Sequence, residues 1–114
     1  MTVVKLSDPL KLPCGAVLPN RIAKAAMTEG LARGDNQGNE RFTRLYKRWG
    51  EGGAGLLITG NFLIDRKHLE RGGNLAIEGP QSNAASAALA DIAAAAKAHG
   101  SHIWAQLNHA GRQT

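Results

Sequence analysis

Three short stretches hold the residues whose types and spacing could do chemistry. Ala25-Ala26-Met27-Thr28 places a thioether and a hydroxyl after two small residues, so a cofactor could approach the backbone there. Thr59-Gly60-Asn61 ends an apolar run, Gly55-Leu56-Leu57-Ile58, in a hydroxyl, a bare backbone position and an amide. Gln106 is an amide set inside the apolar run of residues 102–107, and Asn108, His109 and Arg112 follow it. An amide in such a strand needs a partner, because an unpaired buried polar group costs ~1–3 kcal/mol.

Positioning these residues is the work of the elements around them. Near-continuous apolar runs are the pattern of strands buried on both faces. Three are expected, over residues 21–26, 54–59 and 102–107. A turn at Pro13-Cys14-Gly15 between Leu10-Lys11-Leu12 and Val17-Leu18 predicts a short hairpin before them, able to cap the open end of a barrel. Between the first two strands, Asn39 is an N-cap with Glu40 in the first turn. Phe42, Leu45, Tyr46 and Trp49 then recur at i, i+3, i+4 and i+7, a single apolar helical stripe that Gly50, Gly52 and Gly53 end. Residues 61–80 form a long irregular loop rich in glycine, of the kind that often carries function. Ser82 or Asn83 opens an alanine-rich helix over residues 84–98, and Gly100 closes it. The order hairpin-β-α-β-α-β implies an α/β fold with parallel strands and right-handed crossovers. Ligands in such folds bind at the C-terminal ends of strands, so the three polar endings should share one mouth.

Other chemistries find little support. The glycine-rich Gly50-Glu51-Gly52-Gly53-Ala54-Gly55 precedes a strand, whereas a phosphate-binding loop follows one and opens a helix. One cysteine and four histidines (His68, His99, His102, His109) without ligand spacing on a common helix leave no zinc pattern, so no metal is expected. Cys14 lies in a turn without an activating partner, and a single cysteine suits a reducing, cytoplasmic setting. The net charge of +5 comes from scattered, mostly matched residues, with aromatics at only 4%, so no nucleic-acid partner is expected. No run of about 18 apolar residues predicts a membrane span, and the N-terminus lacks the pattern of a signal peptide.

Four motifs resemble one family in order and spacing: Leu18-Pro19-Asn20-Arg21-Ile22, Ala26-Met27-Thr28, Gly55-Leu56-Leu57-Ile58-Thr59-Gly60 and Gln106-Leu107-Asn108-His109-Ala110-Gly111-Arg112. The chain resembles the N-terminal portion of the old yellow enzyme family, the FMN-dependent NAD(P)H:ene reductases with their 2,4-dienoyl-CoA reductase relatives. The resemblance implies a (β/α)8 TIM barrel, of which 114 residues would be an incomplete first part, since a closed barrel needs ~250. It implies FMN as cofactor, NAD(P)H as reductant, and hydride transfer through flavin N5 to an activated alkene: an enone, an enoate or a dienoyl thioester. By the same resemblance Ala25 and Ala26 would let the backbone approach the flavin, and Met27 would pack on its ring. Thr28 would bond its O4 and tune it, and Gly60 would bring a strand end close. Gln106 would meet its pyrimidine edge. His109 and Arg112 would reach the substrate or stand just behind it. None of these is a catalytic proton donor, and the family's substrate-holding, proton-donating and phosphate-binding residues lie on strands beyond this match. Alanine at position 26 departs from the proline many members have. Glu29-Gly30-Leu31 supplies no aromatic where some relatives place one.

The 114 residues are thus expected to be a single partial domain, inactive alone. Two alternatives stand beside this. One is another flavin or phosphate-binding barrel, such as a dihydroorotate dehydrogenase or an aldolase, although Lys24 lies inside a strand and not at its end. The other is a non-catalytic α/β fragment that associates through open strand edges, which would make a homo-oligomer.

Overall fold

Asn39 fixes where the first helix begins. In the computed structural model, which describes residues 3–113, its carboxamide oxygen accepts the Arg41 N–H at 2.9 Å, and helix α1 runs Glu40–Glu51. The apolar stripe faces the sheet: Phe42 and Tyr46 are fully buried, and Trp49 stands edge-on to Tyr46. Ser82 starts α2, Asn83–Lys97, by accepting the Ala85 N–H at 3.1 Å. Beyond the C-cap Ala98, the Gly100 N–H returns to the Lys97 carbonyl with φ at 97°. That left-handed turn is the stop expected of glycine.

The expected hairpin is present as β1 (Leu10–Lys11) and β2 (Val17–Leu18). It covers the N-terminal end of the sheet, where Leu10, Leu12, Leu18, Ile22, Leu56 and Trp104 surround a cavity. His102 Nε2 lies 3.1 Å from the Val17 carbonyl there.

The main sheet is parallel and is built on β4, Leu56–Leu63. One edge of β4 pairs with β3 (Ala23–Lys24) near its start and with β5 (Leu75–Ala76) near its end. The other edge pairs with β6, His102–Asn108, along its length. The core lies between the sheet and the two helices: Phe42, Tyr46, Leu57, Phe62, Leu75, Ile92 and Ala96. The sheet is not closed among the described residues.

Three expectations need correction. The first strand is shorter than residues 21–26. The Asn20 side chain takes over before Ala23, accepting from Ile22 N and Gly55 N and donating to the Gly53 carbonyl. Beyond Lys24, the Glu29 carboxylate holds β4 in place of a backbone ladder. The second strand does not stop at residue 59 but runs on to Leu63. The loop of residues 61–80 is not structureless, because Asn74, Leu75 and Ala76 are buried along β4.

Candidate functional site

The strand ends do converge, and a defect in the ladder decides how. Ile58 pairs with Trp104, but Asn61 pairs with Gln106, so β4 carries one more residue than β6 over this interval. This is a β-bulge at Thr59-Gly60, and a bulge re-aims the side chains that follow it. Its effect is to bring Asn61, not Gly60, opposite Gln106. Thr59 repairs the gap: its hydroxyl accepts the Gln106 N–H at 3.0 Å and donates to the Gly60 carbonyl at 2.8 Å.

On the other side of β4 the chain after β3 presses against the bulge. A side chain at Gly60 would collide with the Met27 carbonyl oxygen and come within 2.7 Å of Thr28 Cα. Glycine is therefore required by this chain's own packing, a different reason from the ligand approach expected of it. Glu29 locks the contact: its carboxylate accepts the Gly60 N–H at 2.9 Å and the Tyr46 hydroxyl. Burial and the neighbouring carboxylate raise the Tyr46 phenol well above its ordinary range, so it remains a donor.

The result is a polar row across three adjacent segments. Asn61 Nδ2 approaches Thr28 Oγ1 at 3.4 Å, and Thr28 Oγ1 lies 3.4 Å from Glu70 Oε2. Glu70 also receives Arg71 Nε at 3.0 Å. On the far side Gln106 is exposed. Its position two residues after Trp104 puts it on the strand face away from Ile103 and Ala105, which pack toward Leu89 and Ile92 of α2. Met27 is half exposed beside the row, Ala25 is exposed and Ala26 partly buried. Sequence alone did not single out Asn61 for this row. The signal was there in Thr-Gly-Asn, because an isolated glycine inside a strand marks a bulge.

His109 and Arg112 lie apart from the row in their contacts. His109 Nε2 faces Asp65 Oδ2 at 3.3 Å, and its Nδ1 accepts the Gly111 N–H at 2.9 Å. Arg112 is exposed in a 3-10 turn, Gly111–Gln113. Lys24 is turned to the helix side, its ammonium 4.3 Å from the Trp49 ring and bonded to the Ala25 carbonyl. Desolvation lowers its pKa, with Glu29 opposing the shift. Lys24 is the last residue of β3 and not inside the strand as expected, but its amine is held against Trp49 and away from the polar row, which disfavours an aldolase-type Schiff base.

A flexible thioether, a hydroxyl and two carboxamides along one front can receive a planar heteroaromatic whose edge alternates donors and acceptors. The donor set fits the isoalloxazine of FMN.

No family model matches the chain. It is 36% identical to the NADH-dependent flavin oxidoreductase iliE of Hypocrea jecorina, over 99% of this chain and 28% of that protein. The old yellow enzyme homologue from Zymomonas mobilis superposes with a TM-score of 0.76 at 29% identity, covering 93% of this chain and 28% of that one. Morphinone reductase in complex with tetrahydroNAD gives 0.76 at 26% identity, covering 98% and 29%. The chain therefore spans a little over a quarter of the length of these proteins.

Proposed function

We propose that this chain, a homologue of part of the old yellow enzymes and NADH-dependent flavin oxidoreductases, supplies the pyrimidine-edge and O4 side of an FMN site. The observation that carries this is the row Thr28, Asn61, Gln106, assembled on neighbouring segments by the Thr59-Gly60 bulge. When bound, FMN would supply hydride transfer from NAD(P)H to an activated alkene; the protein contributes position and polarity. Met27 would lie against the ring. Thr28 would donate its hydroxyl hydrogen at O4, exchanging its long contact with Glu70 for a bond to the cofactor. Gln106 would use both ends of its carboxamide at the pyrimidine edge. Ala25 and Ala26 would keep the approach clear, and Gly60 would hold the Met27-Thr28 backbone in place from below. His109 and Arg112 would stand at the rim of the substrate space.

The test is FMN binding by the chain alone and after joining it to the remaining barrel of the Zymomonas homologue. Alone, it should retain little or no flavin on gel filtration and reduce no alkene. Joined, it should be yellow near 450 nm (roughly where oxidised flavins absorb) and reduce an enone with NAD(P)H. Gln106→Ala and Thr28→Val should each weaken FMN retention or shift the flavin potential. A folded but colourless chimera would sink the proposal, and turnover by the chain alone would refute its incompleteness.

A further inference from the structure

Asp65 and His68, three residues apart in the segment after β4, meet His109 just past the end of β6. Asp65 Oδ2 lies 2.7 Å from His68 Nδ1 and 3.3 Å from His109 Nε2. The three donor atoms all fall within 4.8 Å of one another. The second Asp65 oxygen, Oδ1, is occupied by the Lys67 N–H at 2.9 Å, which leaves Oδ2 facing the imidazoles. The geometry points to a binding site for a divalent first-row transition ion, such as zinc, cobalt or nickel, made of Asp65, His68 and His109.

Ligand type and spacing agree with such an ion. Zinc-like cations hold imidazole nitrogen and carboxylate oxygen at about 2.0–2.2 Å, so neighbouring donors around one ion sit roughly 3 Å apart. The two Asp65 distances bracket that spacing. Two imidazoles and one carboxylate on one side leave positions open on the other, as in sites that bind a metal facially. The His68 and His109 side chains are 45% and 41% exposed, so an ion can enter and water can complete its shell. Bonding from the Lys67 amide and from His68 holds the Asp65 carboxyl below its usual range, which keeps it anionic at neutral pH.

The hydrogen-bond pattern also says what binding must change. Gly111 N–H donates to His109 Nδ1, so in the metal-free ring Nε2 carries the hydrogen and gives it to Asp65. A metal on Nε2 displaces that hydrogen. A neutral imidazole then carries its hydrogen on Nδ1, which cannot accept from Gly111. Binding therefore releases the Gly111 N–H and loosens the turn at Gly111–Gln113.

Cobalt(II) titration of the metal-free chain, followed by visible absorbance and calorimetry, tests this without any flavin. Saturable one-to-one binding is expected, and it should weaken in acid, because protons compete with the metal for its ligands. His68→Ala and His109→Ala should each weaken it by at least ~10-fold, and His99→Ala should leave it unchanged. In nitrogen NMR the His109 hydrogen should move from Nε2 to Nδ1, with faster amide exchange at Gly111. Absence of saturable binding, or undiminished binding by the folded His68→Ala/His109→Ala double variant, would reduce the cluster to a hydrogen-bonded clamp. Should that variant fail to fold, NMR of the unaltered chain decides: metal-perturbed imidazoles other than His68 and His109 overturn the assignment.

Discussion

Glu29 joins three parts of the molecule with one carboxylate: its own segment after β3, the bulge in β4 through Gly60 N–H, and α1 through the Tyr46 hydroxyl. Tyr46 is fully buried, so the hydroxyl has no water to fall back on. Tyr46→Phe keeps the ring and removes the donor. It should lower stability by ~1–3 kcal/mol, the cost of leaving a charged acceptor short of a partner in a half-buried setting. A urea midpoint shifted down at unchanged slope is the expected result; an unmoved midpoint would show that Gly60 alone satisfies Glu29. The same residue shows where sequence inference stopped. Nothing in the sequence neighbours of Glu29 announces a partner seventeen positions on. By contrast Gln106 stands out in the sequence as an amide inside an apolar strand, whereas Thr28, four residues past the end of β3, is marked only by the motif Ala26-Met27-Thr28.

The elements obeyed local rules where those rules are strong. Asn39 and Ser82 cap their helices through their own side chains, and Phe42 and Tyr46 point inward because they share the stripe. What escaped is non-local. Leu75-Ala76 is too short to announce a strand and becomes one only by pairing with Phe62 and Leu63. The bulge depends on β6 and cannot be seen from β4 alone. The helix crossing gives a prediction at this scale. Gly50 lies in α1 where a Cβ would come 2.7 Å from the Ala96 carbonyl of α2. Glycine to alanine in a helix ordinarily gains ~0.5–1 kcal/mol. Here backbone is in the way, and Gly50→Ala should instead cost ~1–3 kcal/mol through overpacking. A raised melting temperature would mean that the helices move apart at little cost.

As a whole, the molecule is an open sheet with helices on one side. Among the described residues β6 pairs only with β4, and Trp104 and Leu107 are 49% and 62% exposed. Among the described residues no helix is long and apolar enough to cross a membrane. Unpaired strand edges bearing apolar side chains invite pairing with another copy. Sedimentation of the chain should show concentration-dependent association, and Leu107→Lys should reduce it. A monomer at all concentrations would leave the exposed strand without that role. The hub position of β4 has one more consequence, which concerns the order in which the molecule can come into being. Among the described residues every other strand of the main sheet pairs with Leu56–Leu63 and none pairs with another. During synthesis β3 and α1 emerge before β4, and neither has a sheet to join until β4 has emerged. The row of Thr28, Asn61 and Gln106 is assembled later still, when Gln106 arrives. A pause or chaperone contact before residue 56 would therefore find the hydrophobic stripe of α1 still bare.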